Sequence, residues 1–544
     1  PPYGFYWFRL AADSDGPTWH SDAPEPMPEY TTFVLRGGPE EITNPAHRTL
    51  FETDVVPTWL TKRRWFAAKD QKLGRVHVTM AAQLGKGREL ALLAVEVGHP
   101  GGAARYLLPL GITWDDQPAL AMPQQLALAR VRRGRRTGTL TDGYALGEFH
   151  YALLALLREG AEVPAGDGHV IFRPTEGLAT VEIDPTVAIR WLSAEQSNSS
   201  VIIDHKLVLK LFRRLAPGEH PEAEMGRELT ARGFANAAPL YGEILHRGEA
   251  GEQTVLAILQ GYIAGEGDAW EWSMAFLDRA VDDMQRREAS AEDVLGQYEA
   301  FARNLGQRLG EMHAILAQPS DNPAFAPAEA GAAQLRQWRD RILGRTTDAL
   351  DRLSERRDSL SEAERALADR LLPRRAALLK ALLRLIAAGK DGPLHRIHGD
   401  FHLGQVLVAS GDAVIIDFEG EPAQPLAERR AKDSPWRDVA GILRSLDYAL
   451  AARQRAGVTS REAFDVMAAD FASRIPAALL EAYRAAAPDS ADPARDAALL
   501  ELFLIEKASY EVGYELGNRP DWLAVPLGGL LALVETLLDG EAPE

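Results

Sequence analysis

The spacing of apolar residues changes along the chain, from a period of two in the first half to steps of three and four in the second. Apolar and β-branched runs bounded by polar turns predict strands at Val76–Met80, Leu90–Val97 and Tyr106–Leu110. A helical pattern near Leu50–Leu60 lies among them. Residues 31–140 are therefore predicted to form a small α+β unit.

A second group of short strands follows a helix predicted at Gly147–Arg158. Val187–Leu192, Ser200–Ile203 and Leu207–Phe212 are close together and separated by polar turns, which predicts consecutive antiparallel hairpins. Residues 141–268 are thus predicted to form a β-rich lobe.

Residues 269–544 are predicted to form a helical lobe. One long helix is indicated by apolar residues at helical spacing, namely Leu295, Tyr298, Phe301, Leu305, Leu309, Met312 and Leu316. Ser290 and Asp293 are placed as a capping pair at its start. The later strand signals, Gln405–Val408 and Ala413–Phe418, predict a single hairpin within this lobe.

Composition narrows the possible functions. A chain of 544 residues exceeds the roughly 250–300 residues of a single core, so several domains are expected. Its formal charge of −18 disfavours nucleic acid and anionic membranes as partners, and no apolar run reaches the ~18 residues of a membrane span. The absence of cysteine excludes thiolate chemistry, and no leader sequence opens the chain. We therefore expect a soluble, cytoplasmic enzyme.

The candidate chemistry lies in HRIHGDFHLGQVLV at 395–408 and AVIIDFEGEP at 413–422. Asp400 is predicted in a loop, Gln405 at the start of the following strand and Asp417 at the end of the return strand, so the hairpin brings them together. Oxygen-bearing side chains can hold Mg²⁺. If Gln405 and Asp417 bind the metal, Asp400 remains to accept the proton of an attacking hydroxyl. The pattern predicts phosphoryl transfer; the alternative is a surface loop of solvated acids.

This layout resembles the protein-kinase template, in which a catalytic Asp is followed five positions later by a metal-binding Asn and then by Asp-Phe-Gly. Gln405 replaces the Asn, and Asp417-Phe-Glu419 replaces Asp-Phe-Gly. His-Gly-Asp at 398–400 resembles the branch that contains aminoglycoside and choline kinases. The resemblance implies an α+β, bilobal, eukaryotic-protein-kinase-like fold that uses ATP and Mg²⁺, with Gln405, Asp417 and Glu419 as metal ligands.

The template also requires a lysine and an acidic partner in the β-rich lobe. Lys210 lies within the apolar strand pattern at Leu207–Phe212, and Glu224 and Glu228 lie one turn apart on the next predicted helix. We select Glu224 as the partner of Lys210. The alternative is that both acids simply stabilise the helix N-terminus.

No glycine-rich loop precedes Lys210. Polar residues of the turn at 195–200 are instead assigned to the phosphates, namely Gln196, Ser197, Asn198 and Ser199. This segment could equally be an ordinary hairpin turn. The strand Leu256–Ile263 resembles the interlobe hinge, which makes Gln260 and Tyr262 candidates for contact with adenine.

A narrower resemblance, to bacterial maltokinases, is carried by RRWFAAK at 63–69, EQSNSS at 195–200, the two stretches around Asp400 and Asp417, KDSPWRDVAG at 432–441 and RSLDY at 444–448. It covers residues 31–544 and implies that residues 31–140 form an N-terminal cap domain. It also implies ATP-dependent phosphorylation of maltose to maltose 1-phosphate, which feeds α-glucan synthesis. PPYGFYWFRL at 1–10 resembles the last strand of trehalose synthase, so residues 1–30 are expected to be its remnant plus a linker.

The segment EKASYEVGYE at 506–515 supplies the expected sugar contacts. Residues of mixed chemistry share one helical face, namely Lys507, Tyr510, Glu511 and Tyr514. Such a face can hydrogen-bond sugar hydroxyls and stack on sugar rings, although an ordinary exposed helix could carry the same residues. Arg437 is a candidate contact to phosphate or sugar. By resemblance, Asp438 braces the catalytic loop, and His398 is assigned to loop scaffolding.

Two other functions remain open at this point. One is a kinase of the same fold that acts on an aminoglycoside or another sugar. The other is a non-catalytic binding module of kinase shape, which would require the loss of a catalytic group. Lys210, Asp400, Gln405 and Asp417 are all present, which disfavours the second alternative.

Overall fold

The computed structural model describes residues 30–539 except 67, 70, 86–88, 119, 185–186, 188, 193–196, 288–289 and 423. The strand predicted at 1–10 and the candidate phosphate contact Gln196 lie outside the described residues. The chain forms two compact units, which are taken separately below. The first contains residues up to Ala103 together with Leu108–Phe149, and the second contains Ala104–Leu107 together with the residues from His150 onwards.

The first unit is built on a sheet with the strand order β1-β5-β6-β4-β3-β2. Its strands are β1 (Thr32–Val34), β2 (Val76–Gln83), β3 (Leu90–His99), β4 (Gly102–Trp114), β5 (Ala127–Arg133) and β6 (Arg136–Asp142). Its helices are α1 (Pro45–Leu50), a π-helical segment Phe51–Val55, α2 (Val56–Leu60) and α3 (Ala121–Gln125). Alternate residues of β2 are buried, as its period of two predicts. The α+β character predicted for this region is confirmed.

The second unit begins with an antiparallel sheet in the order β7-β8-β13-β14-β11-β10-β9. The elements of this region are α4 (Gly147–Glu159), β7 (Glu162–Ala165), β8 (Gly168–Pro174), β9 (Arg190–Trp191), β10 (Asn198–Ile203), β11 (Leu207–Phe212), β12 (Arg214–Leu215), α5 (Pro221–Ala231), β13 (Leu240–Arg247) and β14 (Gln253–Gly261). The predicted hairpins are present, since β10 pairs antiparallel with both β9 and β11. Lys210 pairs with Ser200 on one side and Ile258 on the other, so it lies inside the sheet.

The rest of the second unit is mainly helical. Its helices are α6 (Ala269–Arg287), α7 (Ala291–Leu316), α8 (Ala332–Arg356), α9 (Glu362–Leu371), α10 (Arg375–Ala388), α11 (Leu426–Arg429), α12 (Trp436–Ala456), α13 (Arg461–Ala486), α14 (Pro493–Asn518) and α15 (Ala524–Asp539). Two antiparallel strand pairs interrupt them, β15 (Ala328–Glu329) with β16 (Pro393–Leu394) and β17 (Val406–Ala409) with β18 (Asp412–Ile415). Only the second pair was predicted. Within the described part of the chain, no helix has the length and apolar character needed to cross a membrane.

Helix α7 organises the core of the helical lobe. Its seven predicted apolar positions are all buried, and Ser290 and Asp293 form the predicted capping box. A Cβ atom at Gly306 would lie 2.1 Å from the carbonyl oxygen of Leu479, and one at Gly310 would lie 2.7 Å from that of Tyr483. Glycine at these two positions therefore allows α7 and α13 to approach closely.

Candidate active site

Lys210 is surrounded by three carboxylates. Its buried Nζ atom donates to Glu222 at 2.8 Å and to Asp417 at 2.7 Å, and it lies 3.1 Å from Glu419. Glu222 comes from α5 in the β-rich lobe, whereas Asp417 and Glu419 follow β18 in the helical lobe. One lysine therefore links the two lobes of the second unit.

The selection of Glu224 as the partner of Lys210 is wrong. Glu224 accepts hydrogen bonds from Arg396 at 2.6 Å and from Arg430 at 2.7 and 2.9 Å. Pro221 begins α5, and residues two apart on a helix point roughly 200° apart. Only one of Glu222 and Glu224 can face the sheet, and it is Glu222.

The pKa values of the three carboxylates around Lys210 shift in different directions. Burial raises the pKa of Glu222 to about 8, and the attraction of Lys210 offsets this only in part. Burial also acts to raise the pKa values of Asp417 and Glu419, but Lys210 outweighs it and both values lie below the ordinary range. Asp417 and Glu419 are therefore ionised at neutral pH and able to bind a cation.

These acids and Gln405 fit a hard divalent cation. One oxygen each from Glu222, Asp417 and Glu419 lies within 4.8 Å of the others, and the Gln405 side chain hydrogen-bonds Asp417. Carboxylate and amide oxygens are suitable ligands for Mg²⁺. Gln405 closes a 3₁₀ turn before β17, and Asp417 lies two residues after β18 with a left-handed φ of 62°. Strained backbone of this kind is common at functional sites.

The loop that carries Asp400 is held by Asp438 of α12. Asp438 accepts hydrogen bonds from the backbone N–H groups of His398 and Gly399 at 2.7 and 2.8 Å. His313 lies 3.2 Å from the same carboxylate. The His398 ring contacts the Ile416 carbonyl oxygen through Nε2 at 2.9 Å. This arrangement fixes the backbone that precedes Asp400.

The first residue of β10 contributes a side chain to the site. Asn198 donates from Nδ2 to Glu419 at 2.7 Å. Ser199 is buried, and its hydroxyl accepts a hydrogen bond from Arg213 Nε at 2.7 Å, which contradicts its predicted contact with phosphate. Ser197 lies in the bend just before β10 and is exposed.

The predicted hinge residues lie at the end of β14. Gln260 pairs with Val208 of β11, and the Tyr262 N–H donates to the Lys206 carbonyl oxygen at 2.8 Å. The Tyr262 ring lies 6.3 Å from that of His205. Both residues thus lie beside β11, the strand that carries Lys210. Their contact with adenine stays a prediction.

A cavity opens beside Asp400. Its lining is charged and partly aromatic, with Arg345, Gly399, Asp400, Phe401, Glu421, Arg437, Gly441, Phe503, Glu506, Lys507 and Tyr510. Lys507 Nζ lies 3.6 Å from Asp400 Oδ1. A Cβ atom at Gly441 would lie 2.5 Å from the Phe401 carbonyl oxygen, so glycine there lets α12 lie against the loop. The cavity brings together three predicted substrate contacts: Arg437, Lys507 and Tyr510.

Guanidinium groups neutralise the other two acids of the cavity. Glu421 lies 3.2 Å from Arg345 and 3.4 Å from Arg437. Glu506 accepts from Arg341 at 2.7 Å and lies 3.4 Å from Arg345. Burial acts to raise the pKa of Glu506, but the neighbouring arginines outweigh it and the pKa is lowered. Both acids are therefore paired with arginines.

The helical face predicted to bind sugar is divided in the structure. Glu511 does not line the cavity, because it accepts hydrogen bonds from the buried Arg444 at 2.7 and 3.1 Å. Tyr514 is also outside the cavity lining and is 43% exposed. The prediction of Glu511 as a sugar ligand is therefore wrong, because its carboxylate is held by Arg444 of α12 and does not line the cavity. Lys507 and Tyr510 remain in the cavity.

Several site residues were missed in the sequence. Glu222 stands beside Glu224 in the same acidic first turn, so only tertiary contacts could separate them. The ion pairs of Glu421 and Glu506 with arginines join α8, α12, α14 and the segment after β18. Their partners are up to 165 positions apart in sequence. The one local signal was Glu421, which belongs to the quoted DFEGEP stretch.

Comparison with family models identifies the chain. Residues 188–499, more than half of it, match the model of the phosphotransferase enzyme family. The chain belongs to the phosphotransferase enzyme family. Residues 59–145 match the model of the maltokinase N-terminal cap domain, so the predicted cap is present in the first unit. The resemblance to the phosphotransferase branch is confirmed, and the resemblance to maltokinases is confirmed for the cap domain.

The relatives include proteins named glucosamine kinase. One from Streptacidiphilus jiangxiensis is 31% identical over 449 residues, which are 80% of this chain and 89% of the relative. One from Mycolicibacterium smegmatis is 25% identical over 359 residues, which are 64% and 79% of the two chains. A solved glucosamine kinase in complex with glucosamine, ADP and inorganic phosphate superposes with a TM-score of 0.59 at 22% identity, and covers 85% of this chain and 94% of its own. This similarity confirms the kinase-like fold.

Proposed function

We propose that the protein phosphorylates maltose at its anomeric hydroxyl, using Mg²⁺-ATP, to give maltose 1-phosphate and ADP. The family and its cap domain make the protein a phosphotransferase of the sugar-kinase type. The choice of maltose rests on the motif resemblance to maltokinases and on the charges of the cavity. A fused or associated trehalose synthase domain is the expected source of maltose.

The charge pairing in the cavity is the observation that carries the choice of a neutral sugar. The lining contains three acids, Asp400, Glu421 and Glu506, and three cations. Glu421 and Glu506 are held by arginines at 2.7–3.4 Å, and Lys507 faces Asp400 at 3.6 Å. A sugar hydroxyl can donate to or accept from such groups without carrying charge into the cavity. An ammonium group would instead enter beside cations, because each carboxylate of the described lining has a cationic neighbour.

The residues of the site can be assigned to steps of phosphoryl transfer. Asp400 is expected to accept the proton of the anomeric hydroxyl as its oxygen attacks the γ-phosphorus and the bond to the ADP oxygen breaks. Lys210, oriented by Glu222, is expected to bind the nucleotide phosphates. Gln405, Asp417 and Glu419 would hold Mg²⁺, which neutralises phosphate charge when bound. Asn198 is expected to lie over the phosphates.

Glucosamine is the second candidate acceptor, because the relatives at 31% and 25% identity are named glucosamine kinases. An amino sugar is cationic near neutral pH and is bound best by an acid that has no cationic partner. Within the described lining of the cavity, each acid has a cation within 3.6 Å. We therefore rank maltose above glucosamine.

The test is a kinetic comparison of acceptors at saturating ATP. Initial rates with maltose, glucose, glucosamine and an aminoglycoside give kcat/KM for each. We expect the value for maltose to exceed that for glucosamine by tenfold or more, as one uncompensated charge would cause. The opposite order would assign the protein to amino sugars, and equal activity with the aminoglycoside would refute a sugar-selective cavity.

A further inference from the structure

A row of aromatic rings and guanidinium groups continues from the cavity along α14 to the surface. Inside the cavity, Lys507 and Arg345 lie over the Tyr510 ring at 5.5 and 5.3 Å. The next ring is Tyr514, with its centroid 6.2 Å from that of Tyr510 and the two planes 30° apart. Tyr514 lines no part of the cavity and is 43% exposed. The row therefore leaves the cavity at Tyr510.

Beyond Tyr514 the row has two further members. The Arg519 guanidinium lies 5.6 Å from the Tyr514 ring and 5.5 Å from the Trp522 ring, so it links the two. Arg519 is itself held by Glu515 at 2.6 Å, and Glu515 is 1% exposed. Trp522 is half-buried and also has the Arg455 guanidinium 5.4 Å from its ring, whereas Tyr514 is exposed. The buried carboxylate fixes Arg519 beside the exposed Tyr514 ring, and a fixed guanidinium beside an exposed aromatic ring is a surface suited to a hydroxyl-rich ring.

The direction of the row fits a linear sugar chain. Lys507 is the member closest to Asp400, so the phosphorylated ring must lie at this end. Tyr514 lies seven residues further along the helix, roughly 10 Å at 1.5 Å per residue. The second ring of a disaccharide would then lie beside Tyr510, short of Tyr514. The surface from Tyr514 to Trp522 is then left for additional rings.

We propose that Tyr514, Arg519 and Trp522 form an outer subsite for a third sugar ring, so that the enzyme phosphorylates maltotriose and longer α-1,4-linked oligosaccharides as well as maltose. This proposal rests on the proposed function and extends it to chain length. The chemistry of the transfer is the same, because only rings distant from the anomeric hydroxyl are added.

The experiment compares kcat/KM for maltose, maltotriose and maltotetraose in the wild-type protein and in Tyr514→Ala, with Trp522→Ala as a second variant. We expect maltotriose to exceed maltose by roughly threefold to tenfold in the wild type, the range that one aromatic contact gives. The ratio should fall toward one in both variants. Leu383→Ala, which removes a 46% exposed apolar side chain from α10, is the control and should retain the wild-type ratio.

Binding without nucleotide supplies a readout independent of activity. Saturation-transfer NMR with maltotriose should report transfer to the third ring in the wild type and its loss in Tyr514→Ala. Good maltose kinase activity with no advantage for maltotriose, or a ratio that both variants leave unchanged, would overturn the outer subsite alone. Absence of maltose phosphorylation by the wild type would overturn the proposed function and the subsite with it.

Discussion

Glu222 and Glu224 stand two residues apart on α5, are both buried, and have different partners, so their substitution by glutamine separates two roles. Glu222→Gln replaces the carboxyl group that accepts a hydrogen bond from the charged Lys210 ammonium. When Asp417 and Glu419 bind Mg²⁺, Glu222 is the carboxylate left to orient the lysine. A hydrogen bond to a charged group contributes about 1.5–3 kcal/mol. We therefore expect kcat/KM for ATP to fall roughly tenfold to hundredfold.

The effects on stability should be reversed: Glu224→Gln should lower the free energy of unfolding much more than Glu222→Gln. Burial already raises the pKa of Glu222 to about 8, so a neutral glutamine suits its environment and the free energy of unfolding should change by less than about 1 kcal/mol. Glu224→Gln leaves Arg396, which is 1% exposed, without a charged partner at 2.6 Å. Breaking a buried ion pair in this way costs about 3–5 kcal/mol.

Two measurements check this pair of predictions. Steady-state kinetics with varied ATP at saturating maltose give the catalytic effect, and urea unfolding gives the stability effect. The reasoning is refuted if Glu224→Gln loses ATP efficiency at unchanged stability while Glu222→Gln behaves as wild type. That outcome would restore the pairing of Lys210 with Glu224 that the sequence favoured.

Three further predictions concern other parts of the site and its support. Asp400→Asn should lower kcat by about 10²–10⁴ through loss of the base, with calorimetric ATP affinity unchanged; full activity would exclude Asp400 as the base. Glu511→Gln should lower the unfolding midpoint and leave KM for maltose unchanged, because Glu511 pairs with Arg444; a raised KM at normal stability would return Glu511 to the sugar. Burial lowers the pKa of His395 from 6.5 to about 4, so stability present above pH 6.5 should fall by about 3 kcal/mol as pH drops through 4, and His395→Gln should reduce this loss in urea unfolding at pH 7 and pH 4.

Local patterns predicted what local forces decide. The alternation of β2, the hairpins around β10 and the capping box of α7 each depend on residues a few positions apart, and each was found. Lys210 could be found because a lysine inside an apolar strand violates the pattern of that strand. The short pair β15 and β16 was missed, since two-residue strands carry no period.

The choice between neighbouring acids and the pairing of distant charges could not be predicted. The acidic first turn of α5 stabilises the helix whichever carboxylate faces the sheet, so propensity does not separate Glu222 from Glu224. The sugar-binding face of α14 was predicted from residue spacing alone. Spacing does not show that Glu511 forms an ion pair with Arg444 of α12. These assignments depend on how α5, α12 and α14 pack, which a single sequence does not contain.

The choice of acceptor is tested most directly by one competition experiment. The wild-type protein is supplied with equimolar maltose and glucosamine and limiting Mg²⁺-ATP, and the phosphate esters are identified by ³¹P NMR with coupling to the sugar protons. A cavity whose Glu421 and Glu506 are paired with arginines predicts maltose phosphorylated at the anomeric oxygen as the main product. Glucosamine phosphate as the main product, with maltose recovered unchanged, would contradict the assignment.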